Sequence, residues 1–61
     1  MQDHKMWAEI ARSKTMYMLE YALNDLREVM LIHKDNEHYM ARCHAERDAI
    51  LTEISRRMNH A

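Results

Sequence analysis

The sequence predicts an all-α protein, a two-helix antiparallel hairpin that dimerises into an assembly like a four-helix bundle. The first reason is composition, because the 61 residues include neither glycine nor proline, the two residues that most disfavour helix interiors. The second is periodicity, since apolar residues recur every three or four positions along two long stretches. The third is the polar run KDNE at 34–37, which is the one clear break in that pattern and indicates a turn. We therefore expect a single helical-hairpin domain over residues 1–61, with helices at about 3–33 and about 37–58 and a turn at about 34–36.

The first predicted helix begins at Asp3, whose side chain is suited to cap the helix or to complement its dipole. Its main apolar stripe, with residues three and four positions apart, comprises Met16, Leu19, Leu23, Leu26 and Met30. Two further lines run beside it, one of mostly small residues and one more aromatic. The small line holds Ala8, Ala11, Thr15, Met18, Ala22 and Val29, and the aromatic line holds Trp7, Ile10, Tyr17 and Tyr21. A helix that is apolar around so much of its circumference exceeds what one partner helix covers, so we expect a dimer.

The turn has no glycine, so Asn36 is the residue expected to adopt a left-handed conformation, which its short amide side chain tolerates. Asp35 or Asn36 is expected to cap the second helix, and Glu37 is expected to face the positive end of its dipole. The stripe of the second helix is narrower and consists of Tyr39, Met40, Cys43, Ile50, Leu51, Ile54 and Met58. Glu53 and Arg57 are spaced i,i+4 in the favourable order, which stabilises a helix by about 0.2 to 0.5 kcal/mol.

A single long coiled-coil helix is the rival architecture, because the heptad phase of the first stripe continues through the turn. The seam would then hold Glu37, Met40, His44, Arg47, Leu51, Ile54 and Met58. Such a seam usually tolerates one polar layer, whereas this one would contain His33, Glu37, His44 and Arg47. The number of polar layers favours the hairpin.

The hairpin places Arg47 near Leu23, at an inward or boundary position. The guanidinium of Arg47 must therefore extend to water or pair with a carboxylate. The nearby carboxylates are Glu20, Asp25 and Glu28. The same register puts Met40 beside Met30, and Ile54 beside Met16.

Composition indicates the cellular compartment in which the chain is expected to act and the classes of partner that it is expected to bind. The lone Cys43 cannot close an internal disulfide, which is typical of a reducing compartment, and no apolar run is long enough for a membrane span. The start also lacks the compact apolar region of a signal peptide, so we expect a cytoplasmic protein without membrane contact. The net charge of −1 gives no general attraction to nucleic acid, although residues 1–14 and 53–61 together are basic and the middle of the chain is acidic.

Metal binding and catalysis find no support in the sequence. His33, His38, Cys43 and His44 cluster near the turn, but their spacing does not place two ligands on one helix face as in zinc sites. Neighbouring residues on a helix point about 100° apart, so Cys43 and His44 are badly placed to act as a nucleophile and its base. The glycine-rich phosphate loop, the nucleophile elbow and the HExxH sequence are also missing. We expect no catalytic residue, no metal and no cofactor.

Protein interaction is the favoured function. Seven methionines and several aromatic residues on helical faces provide adaptable contacts, although the same residues also suit the core and the dimer interface. The predicted core and dimer interface comprises Trp7, Ile10, Met16, Leu19, Leu23, Leu26, Met30, Ile50 and Ile54. The alternative is a dimeric protein that binds RNA or DNA at the basic end of the hairpin. Its candidate contacts, which also suit a protein partner, are Arg12, Lys14, Arg56 and Arg57.

The chain resembles the small early lytic proteins of lambda-like bacteriophages that are encoded between the exonuclease and excisionase genes. The resemblance lies in the short length and in two helical stretches that meet at residues 31–38, LIHKDNEH. It implies a helical-hairpin homodimer that acts in the host cytoplasm and favours lytic development through a host or phage protein. It carries over no catalytic or ligand-binding residue. Plasmid copy-control hairpins, which form four-helix dimers and bind paired RNA loops, are similar in architecture alone.

Overall fold

Three α-helices and no strand make up residues 4–59, the part of the chain that a computed structural model describes. Helix α1 spans His4–Arg12, α2 spans Met16–Ile32 and α3 spans Glu37–Asn59. The all-α prediction is confirmed. The capping role expected for Asp3 lies outside the described residues. Along residues 4–59, none of the helices combines the length and the apolar character needed to cross a membrane.

The predicted helix over about 3–33 is wrong as a single element, because α1 ends at Arg12 and α2 begins at Met16. Between them, Thr15 has extended backbone angles of φ −70° and ψ 161°, and its hydroxyl accepts a 3.1 Å hydrogen bond from the amide of Met18. This is the geometry of a helix N-cap, in which a side-chain oxygen satisfies an amide that has no partner within the helix. A continuous helix would place Thr15 on the line of small residues, whereas here it begins a new helix.

Ser13 closes the helix before this break. Its hydroxyl donates a 2.6 Å hydrogen bond to the carbonyl of Ile10, and its amide lies 3.2 Å from the carbonyls of both Glu9 and Ile10. Serine and threonine compete with helical geometry in this way because their hydroxyls reach nearby main-chain groups. Two hydroxyl side chains thus produce a break in a segment that contains no glycine or proline.

The second break, at residues 33–36, lies where the polar run predicts the turn. The amide of Asn36 donates a 3.0 Å hydrogen bond to the carbonyl of His33, and the side-chain oxygen of Asn36 accepts a 3.0 Å hydrogen bond from the amide of Tyr39. Capping of the following helix by Asn36 is therefore confirmed, as is the position of Glu37 in its first turn. The left-handed conformation expected for Asn36 is wrong, since no residue within 4–59 has a positive φ. The reason is the cap itself, because an N-cap residue normally adopts extended backbone angles.

The core is small and includes residues from all three helices. Ala11 of α1, Leu19 and Leu26 of α2, and Cys43 and Ile50 of α3 form its buried cluster. Partly buried apolar side chains pack around this cluster, namely Met16, Ala22, Leu23, Val29, Met30, Tyr39 and Ile54. The main apolar stripe of the first predicted helix thus lies in or against the core of one chain.

Helices α1 and α2 both pack against α3. Because the chain leaves helical geometry at 13–15 and again at 33–36, the single long coiled-coil helix does not form. The fold measures 39 × 24 × 16 Å along its principal axes. Ala11 is almost completely buried, and its small side chain allows the backbone of α1 to approach α3 closely.

Candidate interaction surfaces

The side chain of Arg57, near the end of α3, caps the carboxyl end of α1. Its Nη2 donates hydrogen bonds to the carbonyl oxygens of Lys14 at 2.6 Å, Arg12 at 3.3 Å and Ala11 at 3.4 Å. The last carbonyls of a helix have no partner within it, and they carry the negative end of the helix dipole. One guanidinium therefore satisfies several main-chain oxygens around the break and attaches α1 to α3.

Glu53 holds Arg57 in this position. Its Oε2 accepts a 2.7 Å hydrogen bond from Nε of Arg57, while Arg56 donates to both oxygens, at 3.1 Å from Nε and 2.6 Å from Nη2. The hydrogen bonds from Arg56 and Arg57 lower the pKa of Glu53 from 4.5 to about 2. The hydrogen bonds and charge of Glu53 in turn raise the pKa of Arg56. We name Glu53, Arg56 and Arg57 the arginine clamp.

The predicted i,i+4 pair of Glu53 and Arg57 is confirmed, but its burial and its role at α1 were not predicted from the sequence. Glu53 is only 5% exposed, which is unusual for a glutamate and is compatible with folding because two arginines compensate its charge. The available signal was a glutamate followed by arginines at both i+3 and i+4. That pattern indicates a bidentate pair, but the carbonyl oxygens that Arg57 contacts are more than forty positions away in the chain.

The four cations predicted as partner or nucleic-acid contacts have different environments. Arg56 and Arg57 are engaged in the arginine clamp, where their side chains remain 52% and 23% exposed. Arg12 is exposed and lines a cavity of about 320 Å³ together with Arg56 and Asp48. Lys14 is half-buried and lines a separate shallow cavity with Tyr17. The structure therefore brings Arg12 near Arg56 but does not gather all four cations in one cavity.

Of the residues predicted to form the core and the dimer interface, some are buried and others are exposed. Leu19, Leu26 and Ile50 are buried, and Met16, Leu23, Met30 and Ile54 pack against them. Trp7 is half-buried and Ile10 is exposed. The guanidinium of Arg42 lies 6.0 Å from the centre of the Trp7 ring, a distance suited to a cation–π interaction. Most of these residues therefore contribute to the core of a single chain.

Large apolar side chains remain exposed on every helix. On α1 and the first turns of α2 they are Met6, Ile10, Tyr17, Met18 and Tyr21, which we name the amino-terminal apolar set. The others are Leu31 and Ile32 at the end of α2, and Leu51 and Met58 on α3. Tyr17 is 76% exposed and Leu31 is 71% exposed, so neither contributes much to the core. Because contiguous exposed apolar surface marks interaction sites in many proteins, these side chains are the candidates for contact with a partner.

A groove of about 830 Å³ lies between α2 and α3, and we name it the α2–α3 groove. Its apolar lining consists of Leu23, Met30, Leu31, Met40 and Leu51, and its polar lining consists of Asn24, Arg27, Lys34 and Arg47. Arg47 lines this groove together with Leu23, and Met40 lines it together with Met30. Within residues 4–59, no ion pair joins Arg47 to Glu20, Asp25 or Glu28, so of the two predicted alternatives the carboxylate partner is not found. Arg47 is exposed and reaches water instead.

Of the cysteine and histidines near the turn, Cys43 lies in the core and His33 lies beside an aromatic ring, while His38 and His44 are exposed. Cys43 is buried in the core, and burial is the main cause that raises the pKa of its thiol, so the thiol is protonated at neutral pH. The ring of His33 lies 4.5 Å from the ring of Tyr39, centre to centre, across the turn. Among residues 4–59, no three histidine, cysteine, aspartate or glutamate side chains are arranged to hold a metal ion.

Compared with protein-family models, with curated proteins and with solved structures, the chain has no significant match.

Proposed function

We propose that this protein is a small, non-enzymatic regulator of a lambda-like bacteriophage that acts in the host cytoplasm and promotes lytic development by binding a host or phage protein. The observation that carries the proposal is the exposure of large apolar side chains on a fold with a small core. Such side chains are costly to leave in water and are the usual anchors of protein interfaces. The phage context rests on the resemblance of residues 31–38 and of the chain length.

The proposed active form is a homodimer in which α2 and α3 of each chain form an antiparallel hairpin and two hairpins form a four-helix arrangement. The amino-terminal apolar set is the proposed contact between chains, because Tyr17 and Tyr21 lie one turn apart on α2 and both are exposed. A chain of this size buries a modest fraction of its surface, so a second copy would add the burial that one chain lacks.

Sedimentation of the purified chain tests the dimer. We expect the mass of two chains at micromolar concentration, and the mass of one chain for the double variant Tyr17→Ser/Tyr21→Ser. The matched control is Ile32→Ser/Met58→Ser, which also removes two exposed apolar side chains but outside the amino-terminal apolar set. A wild-type mass of one chain would contradict the proposed dimer.

Infection tests the regulatory role. The chain is produced in a bacterial host that is then infected with a lambda-like phage, and the fraction of surviving lysogens is counted. We expect fewer lysogens with the wild-type chain and a normal number with Tyr17→Ser/Tyr21→Ser. An unchanged number of lysogens with folded wild-type chain would count against the proposed function.

Nucleic-acid binding is the second candidate, and one observation favours it. Lys14 lines the same shallow cavity as Tyr17 and Tyr21, so a cation lies beside two aromatic rings on which bases could stack. Asp25 lines this cavity too and would oppose a phosphate backbone. Affinity capture from bacterial lysate, with and without nuclease, distinguishes the two candidates because only a nucleic-acid partner is lost after nuclease treatment.

A further inference from the structure

We propose that the α2–α3 groove binds an amphipathic helix of another protein, with an apolar stripe on its inner face and carboxylates along both edges. This inference deepens the proposed function, on which it rests, by naming the surface and the chemistry of the partner. It depends on three features of the groove, which are its charge, its shape and the lack of a matching helix in this chain.

The charge of the groove has one sign. Arg27, Lys34 and Arg47 line it, all three are exposed, and no aspartate or glutamate within residues 4–59 lines it with them. None of the three forms an ion pair with another described residue. The acidic side chains Asp25 and Glu46 line a different cavity, beside Ala22 and Cys43. A chain with a net charge of −1 therefore has a cationic groove, and the charge complement of that groove is an acidic partner.

The shape of the groove fits a helix. Its lining runs from Leu23 to Lys34 on the α2 side and from Met40 to Leu51 on the α3 side. The α3 wall is therefore about 16 Å long, or about three helical turns, and the other wall continues past the end of α2 at Ile32 into the turn. The apolar part of the lining includes half-buried Met30 and Met40 and exposed Leu31 and Leu51. Two helices side by side form a channel into which the side chains of a third helix can pack.

The positions of the cations define the pattern of the partner. Arg27 lies on α2, Lys34 lies in the turn that follows α2, and Arg47 lies on α3. An occupying helix would meet Arg27 and Lys34 with carboxylates along one edge. A carboxylate on its other edge would meet Arg47. The methionines in the lining can pack against apolar side chains of different shapes, because their unbranched thioether is flexible.

A second copy is not the proposed occupant, because none of the helices within residues 4–59 has an exposed apolar stripe of three turns with carboxylates along both edges. The exposed Tyr17, Met18 and Tyr21 of α2 cover little more than one turn. On α3 the exposed large apolar side chains are Leu51, which lines the groove itself, and Met58. Between Tyr21 and Leu31, α2 exposes Asn24, Asp25, Arg27 and Glu28 but no large apolar side chain. Helix α1 exposes Met6 and Ile10 but is only nine residues long, shorter than the groove. The occupant that the groove fits is therefore a different chain.

Peptide binding measured by fluorescence anisotropy tests the inference. One probe is a helical peptide with leucines along one face and glutamates along both edges, and its partner probe has lysines in place of the glutamates. We expect the glutamate peptide to bind the full wild-type chain more tightly than the lysine peptide, with an affinity that falls as salt is raised. The double variant Arg27→Glu/Arg47→Glu should bind the glutamate peptide about tenfold or more weakly and should prefer the lysine peptide.

The matched control is Arg12→Glu/Lys14→Glu, which changes the net charge equally but lies outside the groove. It should retain wild-type affinity for the glutamate peptide, and circular dichroism should show that both double variants are helical. Equal loss in the two variants would mean that only net charge matters and would overturn the inference. Failure of the glutamate peptide to bind, or tighter binding of a short single-stranded RNA at the groove, would overturn it as well.

Sedimentation separates the groove from the dimer. If Arg27→Glu/Arg47→Glu converts a dimer into single chains, the occupant is a second copy and the inference is wrong. The lysogen count remains an independent measure of the proposed function. If the chain lowers the lysogen count without binding the glutamate peptide, the proposed function is supported and the groove inference is wrong. If the chain binds the peptide without lowering the lysogen count, the groove inference is supported and the proposed function is wrong.

Discussion

Arg57 donates a 2.6 Å hydrogen bond from Nη2 to the carbonyl oxygen of Lys14, 43 positions earlier in the chain. The two residues connect the end of α3 to the break between α1 and α2. Because the carbonyls of Ala11 and Arg12 lie within 3.4 Å of the same nitrogen, one side chain closes the end of α1. The attachment of α1 therefore depends on a contact between distant parts of the chain.

Replacing Arg57 by Met should lower the free energy of unfolding by about 1 to 2 kcal/mol, because the carbonyls at the end of α1 lose a charged donor. Methionine retains the apolar part of the side chain, so the change reports mainly the lost hydrogen bonds. Urea unfolding followed by circular dichroism measures it. Arg56→Met is the matched control and should cost less, because Arg56 is more exposed and its hydrogen bonds go to Glu53 within α3. An equal or larger loss for Arg56→Met would contradict the capping role of Arg57.

Glu53 should make stability depend on pH in acid. Its pKa is about 2 in the folded chain, lowered from 4.5 by Arg56 and Arg57. Because folding lowers this pKa, ionised Glu53 stabilises the folded chain above about pH 4.5, and this contribution is lost as the pH falls toward 2. Thermal unfolding across that range should show a steeper loss of stability for the wild type than for Glu53→Gln. The same slope in both proteins would show that Glu53 does not contribute.

Thr15→Ala should destabilise the chain by about 1 kcal/mol, because the amide of Met18 loses its only side-chain acceptor at the start of α2. The control is Thr52→Ala, at an exposed position inside α3 where alanine has the higher helix propensity. Thermal melts of the two variants should therefore shift in opposite directions. A melting temperature unchanged by Thr15→Ala would mean that α1 and α2 do not need this cap to separate.

Leu19→Ala should cost about 3 kcal/mol, since Leu19 is completely buried and its removal leaves a cavity in a small core. Leu31→Ala removes the same atoms from a position that is 71% exposed and should change stability by less than about 0.5 kcal/mol. Hydrogen exchange and urea unfolding measure both. If Leu31→Ala proves as costly as Leu19→Ala, Leu31 must be covered in solution, which would itself locate an interface.

Local pattern predicted much of the fold because helical periodicity and capping depend on residues close together in the sequence. The spacing of Leu19 and Leu26 predicts that both belong to the core, and they do. The polar run before the second helix predicts a cap at Asp35 or Asn36, and Asn36 forms it. The sequence does not predict the break between α1 and α2 at Ser13 and Thr15. The main apolar stripe begins only at Met16, after the break, and a serine or threonine is compatible with either a helix interior or a cap. The position of the break depends also on Arg57, which no local pattern reveals.

The candidate surfaces were predicted less well, for the same reason. Arg12, Lys14, Arg56 and Arg57 look alike in the sequence, yet Arg56 and Arg57 bind Glu53 within the fold. Conversely, the sequence does not indicate Arg27 and Lys34 as candidate contacts, because each lies among acidic residues in the chain. Only the packing of α2 against α3 brings them to one groove with Arg47. The net charge of a sequence segment therefore does not predict the charge of the surface that one side of a helix pair presents.

The sequence by itself determined that the chain is helical, that it turns at about residues 34–36 and that Leu19, Leu26 and Ile50 belong to the core. The physical reason is that helix propensity, apolar periodicity and N-capping act over a few neighbouring residues. Tertiary structure alone decided that α1 is a separate helix held by Arg57 and that Arg27, Lys34 and Arg47 line one groove without carboxylates. Both depend on contacts between residues far apart in the chain, whose distances are set only when α1 and α2 pack against α3.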